Sequence, residues 1–207
     1  MRATTCWTLS KFSDWIGNNA PEQIFVVYHQ KLVEKMADQE ECVQEATCNA
    51  YSSLVEIVPD KCLPLLIGLF QVLNSVVVNY KDGPQIAMFD CVGSIAQAVG
   101  DGLRNPEILG TLLPLLNKKW EQISNNNRSL LTLFECFESV IGAIQDDIEP
   151  YASFIFTRCL QILTNVLQNI KSDYENIYQE TDFYIRSMDL ISSIFSALNQ
   201  KAETIVK

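Results

Sequence analysis

An all-α array of stacked antiparallel helix pairs is the fold class this sequence predicts, and three observations predict it. Apolar residues recur at three- and four-residue steps along almost all of the 207 residues, which gathers them on one helix face at ~100° per residue. No stretch alternates apolar and polar residues between hairpin turns, so strands leave no signature. The helices also recur at a near-constant interval. The second helix of each pair starts near 40, 84, 128 and 182, a step of about 44 and then a longer one.

Taken in order, the elements justify themselves by their own residues. In "TCWTLSKFSDWIG" a helix over 3–16 has Cys6, Leu9, Phe12 and Ile16 on its buried side, which leaves Trp7 nearly opposite, between Lys11 and Asp14. A helix over 21–38 starts at Pro21, as those over 84–99 and 106–123 start at Pro84 and Pro106. Proline suits the first helical turn, where the missing N–H costs nothing. The helix over 40–58 turns Val43, Ala50, Leu54 and Ile57 inward. Over 61–79 runs "CLPLLIGLFQVLNSVVV", interrupted by Pro64, Gln71 and Asn74, and this reads as a buried helix rather than a membrane span. Met88, Phe89, Val92, Ile95 and Val99 face inward over 84–99, and Leu133, Phe137, Val140 and Ile144 over 128–145. A helix over 148–171, a break at about 172–181 and a helix over 182–199 with Phe183, Leu190, Ile194 and Leu198 inward complete the series. "KAETIVK" starts a tenth.

A period of about 44 belongs to HEAT and armadillo-type helical repeats, in which stacked pairs bury what no pair could bury alone. The expected architecture is a right-handed superhelical HEAT-repeat solenoid of about four to five repeats. They divide as 1–17 (the second helix of an incomplete repeat), 21–58, 61–99, 106–145, 148–199 and 200–207 (the start of the next). A pattern that begins mid-repeat at Met1 is expected of an internal stretch of a longer chain.

Charge narrows the function. With 25 acidic residues against 15 basic, a net charge of −10 argues against nucleic acid, which needs lysine and arginine for its phosphates, and suits a basic partner. Seven cysteines (Cys6, Cys42, Cys48, Cys62, Cys91, Cys136 and Cys159) lack metal-ligand spacing and sit beside apolar positions, as reduced thiols of a cytosolic or nuclear protein do. No secretory signal opens the chain. His29 is the only histidine, and no glycine-rich phosphate loop is present. Glu135 and Glu138 share a helix side but read as solvated acids. No cofactor, metal or enzymatic chemistry is expected.

The second helices carry the acidic excess while the first helices balance. Their outward stripes are Glu45, Asn49, Ser52 and Glu56; Asp90, Ser94 and Gln97; Glu135, Ser139 and Gly142; and Asp182, Asp189, Ser193 and Ser196. Each is an acid among small polar residues. Because second helices line the concave side of such a solenoid, the pattern predicts a concave surface of spaced carboxylates with Trp7 at one end. Such a surface steers and holds an extended basic peptide.

Several segments carry a resemblance: "RATTCWTLSKFSDW" (2–15), "VQEATCNAYSSL" (43–54), "MFDCVGSIAQAVG" (88–100), "LLPLLNKKW" (112–120), "LFECFESV" (133–140), "TRCLQIL" (157–163) and "DFYIRSMDLIS" (182–192). In this order they resemble the transportins, the importin-beta superfamily receptors that carry proline-tyrosine nuclear localisation signals. The resemblance implies a cargo-binding role for Trp7, Glu56, Asp90 and Asp189, with Ala46 and Ser53 at flanking contacts. Glu135 joins them from its stripe. It also implies a receptor shuttling between cytoplasm and nucleus, with Ran GTPase bound mainly outside this stretch and nucleoporins as partners. Membranes and nucleic acid are not expected as partners. Gln97 stands where transportins often carry an acid, and Thr4 replaces an apolar residue near the tryptophan. The alternative reading is a HEAT-repeat scaffold holding other protein subunits by its loop ridge or convex side.

Overall fold

Prolines and polar caps set many of the helix starts. Pro21 precedes a helix over Glu22–Met36 (α3), Pro84 lies in the first turn of one over Asp82–Val99 (α7), and Pro106 opens one over Pro106–Gln122 (α8). At that last start the Asn105 side chain accepts a hydrogen bond from the Glu107 N–H at 2.8 Å, satisfying a donor the helix leaves unpaired. The computed structural model describes residues 1–172 and 177–206, with side chains described except at 170–180, 204 and 206. The remaining helices are Arg2–Ser10 (α1), Ser13–Asn18 (α2), Glu41–Ile57 (α4), Pro59–Cys62 (α5), Leu66–Val76 (α6), Ser129–Ile144 (α9), Glu149–Ser172 (α10), Ile177–Leu198 (α11) and Glu203–Val206 (α12). Among the described residues there is no strand. Of the expected break at about 172–181, residues 173–176 lie outside the described residues, whereas 177–181 are helical, so α11 begins five residues before the expected start at 182.

Two rows of helices run side by side. The second helices pack in sequence, α1 on α4, α4 on α7, α7 on α9 and α9 on α11, while α3 packs on α6 and α6 on α8. Across the rows α3 meets α4, α8 meets α9 and α10 meets α11. This is an all-α HEAT-repeat solenoid, with one apolar core running continuously between the rows. The periodicity also appears in its polar contacts. Lys61 Nζ donates to the Gly17 carbonyl, Tyr80 Oη to the Met36 carbonyl and Gln85 Nε2 to Ser129 Oγ, each pair 44 residues apart.

Core burial follows the inward stripes. Leu54, Met88, Phe89, Val92, Ile95, Leu133, Val140, Ile144, Leu190 and Ile194 are wholly buried. Trp120 is buried as well, edge-on to Phe137 at 5.2 Å, with the Arg158 guanidinium 4.8 Å from its ring centre. Within this core Lys119 is almost fully buried and donates to Gln85 Oε1 at 2.8 Å, in line with the Gln85–Ser129 contact. Burial, and then Lys118, hold its ammonium below the usual lysine range.

Three expectations are corrected. The single helix over 3–16 is two helices, parted at Lys11–Phe12. Of its four inward residues Cys6 and Ile16 are buried, but Leu9 is 38% and Phe12 54% exposed; Leu9 borders an open depression of about 280 Å³ shared with Tyr28 and Leu32, so α3 does not close over it. Ile57 is exposed and its neighbour Val58 is buried instead, because α4 ends at Ile57 and the chain leaves helical phase at Val58. There Gly17 comes so close that a Cβ on it would lie 2.8 Å from Val58 Cγ1. The stretch Pro59–Asn79 is long and apolar enough to cross a membrane. In the fold it is broken by short 3₁₀ turns, and Leu66, Leu69, Phe70, Leu73 and Val77 are wholly buried in the array.

Candidate functional site

Trp7 stands out of the core. Its helix α1 meets α4 through Cys6, whose Sγ accepts from Thr47 Oγ1 at 3.4 Å. The next residue therefore points elsewhere, and Trp7 is 59% exposed. Lys11 Nζ lies 5.1 Å from its ring centre, a cation–π contact one turn along the helix that biases the indole without covering it.

From α1 the outward stripes continue across α4 and α7. Ala46 is half-buried on α4. Ser53 donates back to the Asn49 carbonyl at 3.2 Å, so its hydroxyl is occupied by its own helix. Glu56 is exposed and accepts a hydrogen bond from Ser94 Oγ at 2.9 Å, which ties the stripe of α4 to that of α7. Asp90 is also exposed, yet partial burial, and then the Glu135 carboxylate, push its carboxyl above the usual aspartate range. Gln97 Nε2 donates to Ser139 Oγ at 3.0 Å, joining α7 to α9.

On α9 and α11 the acids have cations beside them. Arg186 Nη2 pairs with Glu135 Oε1, and Arg128 Nη2 lies 3.8 Å from Asp182 Oδ2. Asp189 is exposed on the same side of α11. Glu138, half-buried on α9, is an acid that the sequence alone reads as solvated. Burial pushes its carboxyl up to about 7; Arg186 opposes the rise, and Asp189 and Glu135 add to it. The available signal was its place between the inward Phe137 and the outward Ser139, at the edge of the buried face. It borders a depression of about 210 Å³ lined also by Gly142, Gln145, Ser192, Ser193 and Ser196.

The structure thus sets Trp7, Glu56, Asp90, Glu135 and Asp189 on successive members of the second-helix row, with Ala46 and Ser53 beside Glu56's helix face. What the arrangement offers is a set of carboxylates for cations and one indole for an apolar group. His29 lies apart, buried and edge-on to Tyr51 at 5.5 Å, and burial lowers its imidazole to about 4, so it is neutral at pH 7. Six of the seven cysteines are buried and Cys42 is exposed; all are free thiols. Burial pushes Cys62, Cys91 and Cys159 to about 12. Among the described residues no group of three His, Cys, Asp or Glu is placed to hold a metal ion.

No protein-family profile matches the chain. Over its whole length it is similar to curated proteins. It is 29% identical over 212 residues to transportin-1 of Homo sapiens. To importin subunit beta-2 of Schizosaccharomyces pombe it is 30% identical over 213 residues, and to transportin-1 of Oryza sativa 28% over 212. Each comparison covers 100% of this chain, which spans 23%, 23% and 24% of those relatives.

Proposed function

Because this chain is transportin-like from end to end, we propose that it is the cargo-recognition stretch of a nuclear import receptor, binding basic proline-tyrosine nuclear localisation signals along its second-helix surface. The observation that carries the reading is a tryptophan 59% exposed at one end of a line of carboxylates on adjacent helices. An indole in water presents a large apolar face at low entropic cost, which is the character of an interface anchor. The carboxylates Glu56, Asp90 and Asp189 attract lysine or arginine, and their spread over several helices suits an extended peptide better than a compact one.

Mechanism in this reading is equilibrium binding. Attraction by the acidic row brings the basic part of the signal to the inner side of the solenoid, and Trp7 packs on apolar atoms at the proline-tyrosine end. Ala46 and Ser53 leave room beside it. The whole receptor would meet Ran and nucleoporins on other surfaces and shuttle between cytoplasm and nucleus.

The test is fluorescence anisotropy of a labelled basic proline-tyrosine peptide at low and moderate salt. Trp7→Ala is expected to weaken binding by about 2 kcal/mol, roughly 30-fold. Asp90→Lys is expected to weaken it about tenfold and flatten the salt dependence. Unchanged thermal melting of both variants makes these binding effects. Binding that neither variant weakens overturns the reading.

A further inference from the structure

Part of the acidic row already holds a cation of its own. Arg186 reaches from α11 to Glu135 on α9, and the two side chains are 38% and 46% exposed. The same guanidinium acts on Glu138, and Asp189 lies one turn further along α11. One arginine is therefore set among three carboxylates on two helices, while Glu135 also acts on Asp90 of α7. Arg128 is placed differently. It stands 3.8 Å from Asp182, in the N-terminal part of α11, and is 73% exposed.

A ligand's lysine or arginine would seek the carboxylates that Arg186 occupies. To engage Glu135 it must displace a guanidinium that is tethered, correctly charged and already in contact. We propose that Arg186 is an intramolecular competitor for basic ligands, a specificity determinant that weakens recognition at α9–α11 and leaves Glu56 and Asp90 as the preferred stations for positive charge. This rests on the binding surface proposed above. The pair is too exposed to close the surface, since ion pairs in contact with water are weak. It grades affinity along the row.

The experiment measures the labelled basic peptide at pH 8, where most Glu138 is ionised. It compares Arg186→Gln and Arg186→Met with Lys31→Gln, which removes an equal charge from α3, where Lys31 pairs with Glu34 at 2.6 Å. Both Arg186 variants are expected to tighten binding about two- to fivefold, the range an exposed pair supports, and to steepen its salt dependence. Lys31→Gln is expected to leave it unchanged. Equal tightening by Lys31→Gln would show a net-charge effect and overturn the inference. So would unchanged or weaker binding in both Arg186 variants, the weaker case making Arg186 a ligand contact. If Trp7→Ala and Asp90→Lys weaken the wild type while the Arg186 variants do not tighten it, only this inference falls. If those two substitutions do nothing, the surface and the inference fall together.

Discussion

Where α4 and α7 face outward, Glu56 accepts from the hydroxyl of Ser94 and Asp90 stands with a raised carboxyl; neither makes an ion pair among the described residues. Where α9 and α11 face outward, Glu135 is paired with Arg186, Asp182 has Arg128 nearby, and Glu138 is driven toward neutrality by burial. Both halves have the same acid-plus-small stripe in sequence. They differ because charge at a surface depends on what the neighbouring helix supplies, and the second half supplies two arginines. An acidic stripe is thus a statement about composition, and its attraction for a cation is a statement about packing.

The sharpest way to probe the α9–α11 half is through Glu138. A carboxyl raised from the ordinary 4.5 to about 7 keeps its proton in the folded state where the unfolded chain has lost it. The folded state then binds more protons between those values, so stability falls as pH rises through that window and is lowest above it. Glu138→Gln is expected to stabilise the fold at pH 8 by about 1 kcal/mol, a figure reduced for the group's partial solvent screening. The gain should vanish near pH 4. Urea unfolding at the two pH values checks this, and a pH-independent difference would assign the effect to packing.

A smaller effect compares the ends of α7 and α9. Gly100 closes one at φ 54, ψ −130 and Gln145 closes the other at φ 53, ψ −127, so the same left-handed turn is made once by glycine and once by a residue with a Cβ. Gln145→Gly is expected to stabilise by about 0.5–1 kcal/mol, relief of strain exceeding the added chain entropy of the unfolded state. Gly100→Gln should cost a similar amount. Thermal melts of the two variants settle whether the halves carry equal strain.

The smallest expected change lies in the α4–α7 half. Ser94→Ala frees Glu56 from its hydrogen bond, and should alter both stability and peptide affinity by less than about 0.5 kcal/mol, since the contact is exposed. An effect as large as that of Trp7→Ala would make Ser94 itself a ligand contact.

Much of this was legible beforehand, and the exceptions have a common cause. The inward residues of α7, α9 and α11 were named correctly because a helix repeats every 3.6 residues whatever surrounds it. Trp7 was placed outside its core by the same geometry. Leu9 and Phe12 were placed inside by it and are exposed, because helical phase says which residues share a face but not whether another helix covers that face. Ile57 and Val58 exchange roles at a helix end, where phase stops applying. Glu138 was misread for a related reason: its neighbours along the chain are legible, whereas Arg186 and Asp189 reach it from another helix.

By itself, the sequence determined the helical character, the pairing interval, most of the inward faces and the acidic bias of the second row, since all of these follow from local backbone geometry and counting. Only the tertiary structure decided that Ser94 meets Glu56 across 38 residues, that Arg186 meets Glu135, and that Glu138 loses enough water to hold a proton near neutral pH. Those outcomes depend on the stagger between stacked helices. A shift of one turn moves a side chain by ~5.4 Å, more than the reach of an ion pair, and no periodicity within a single helix encodes it.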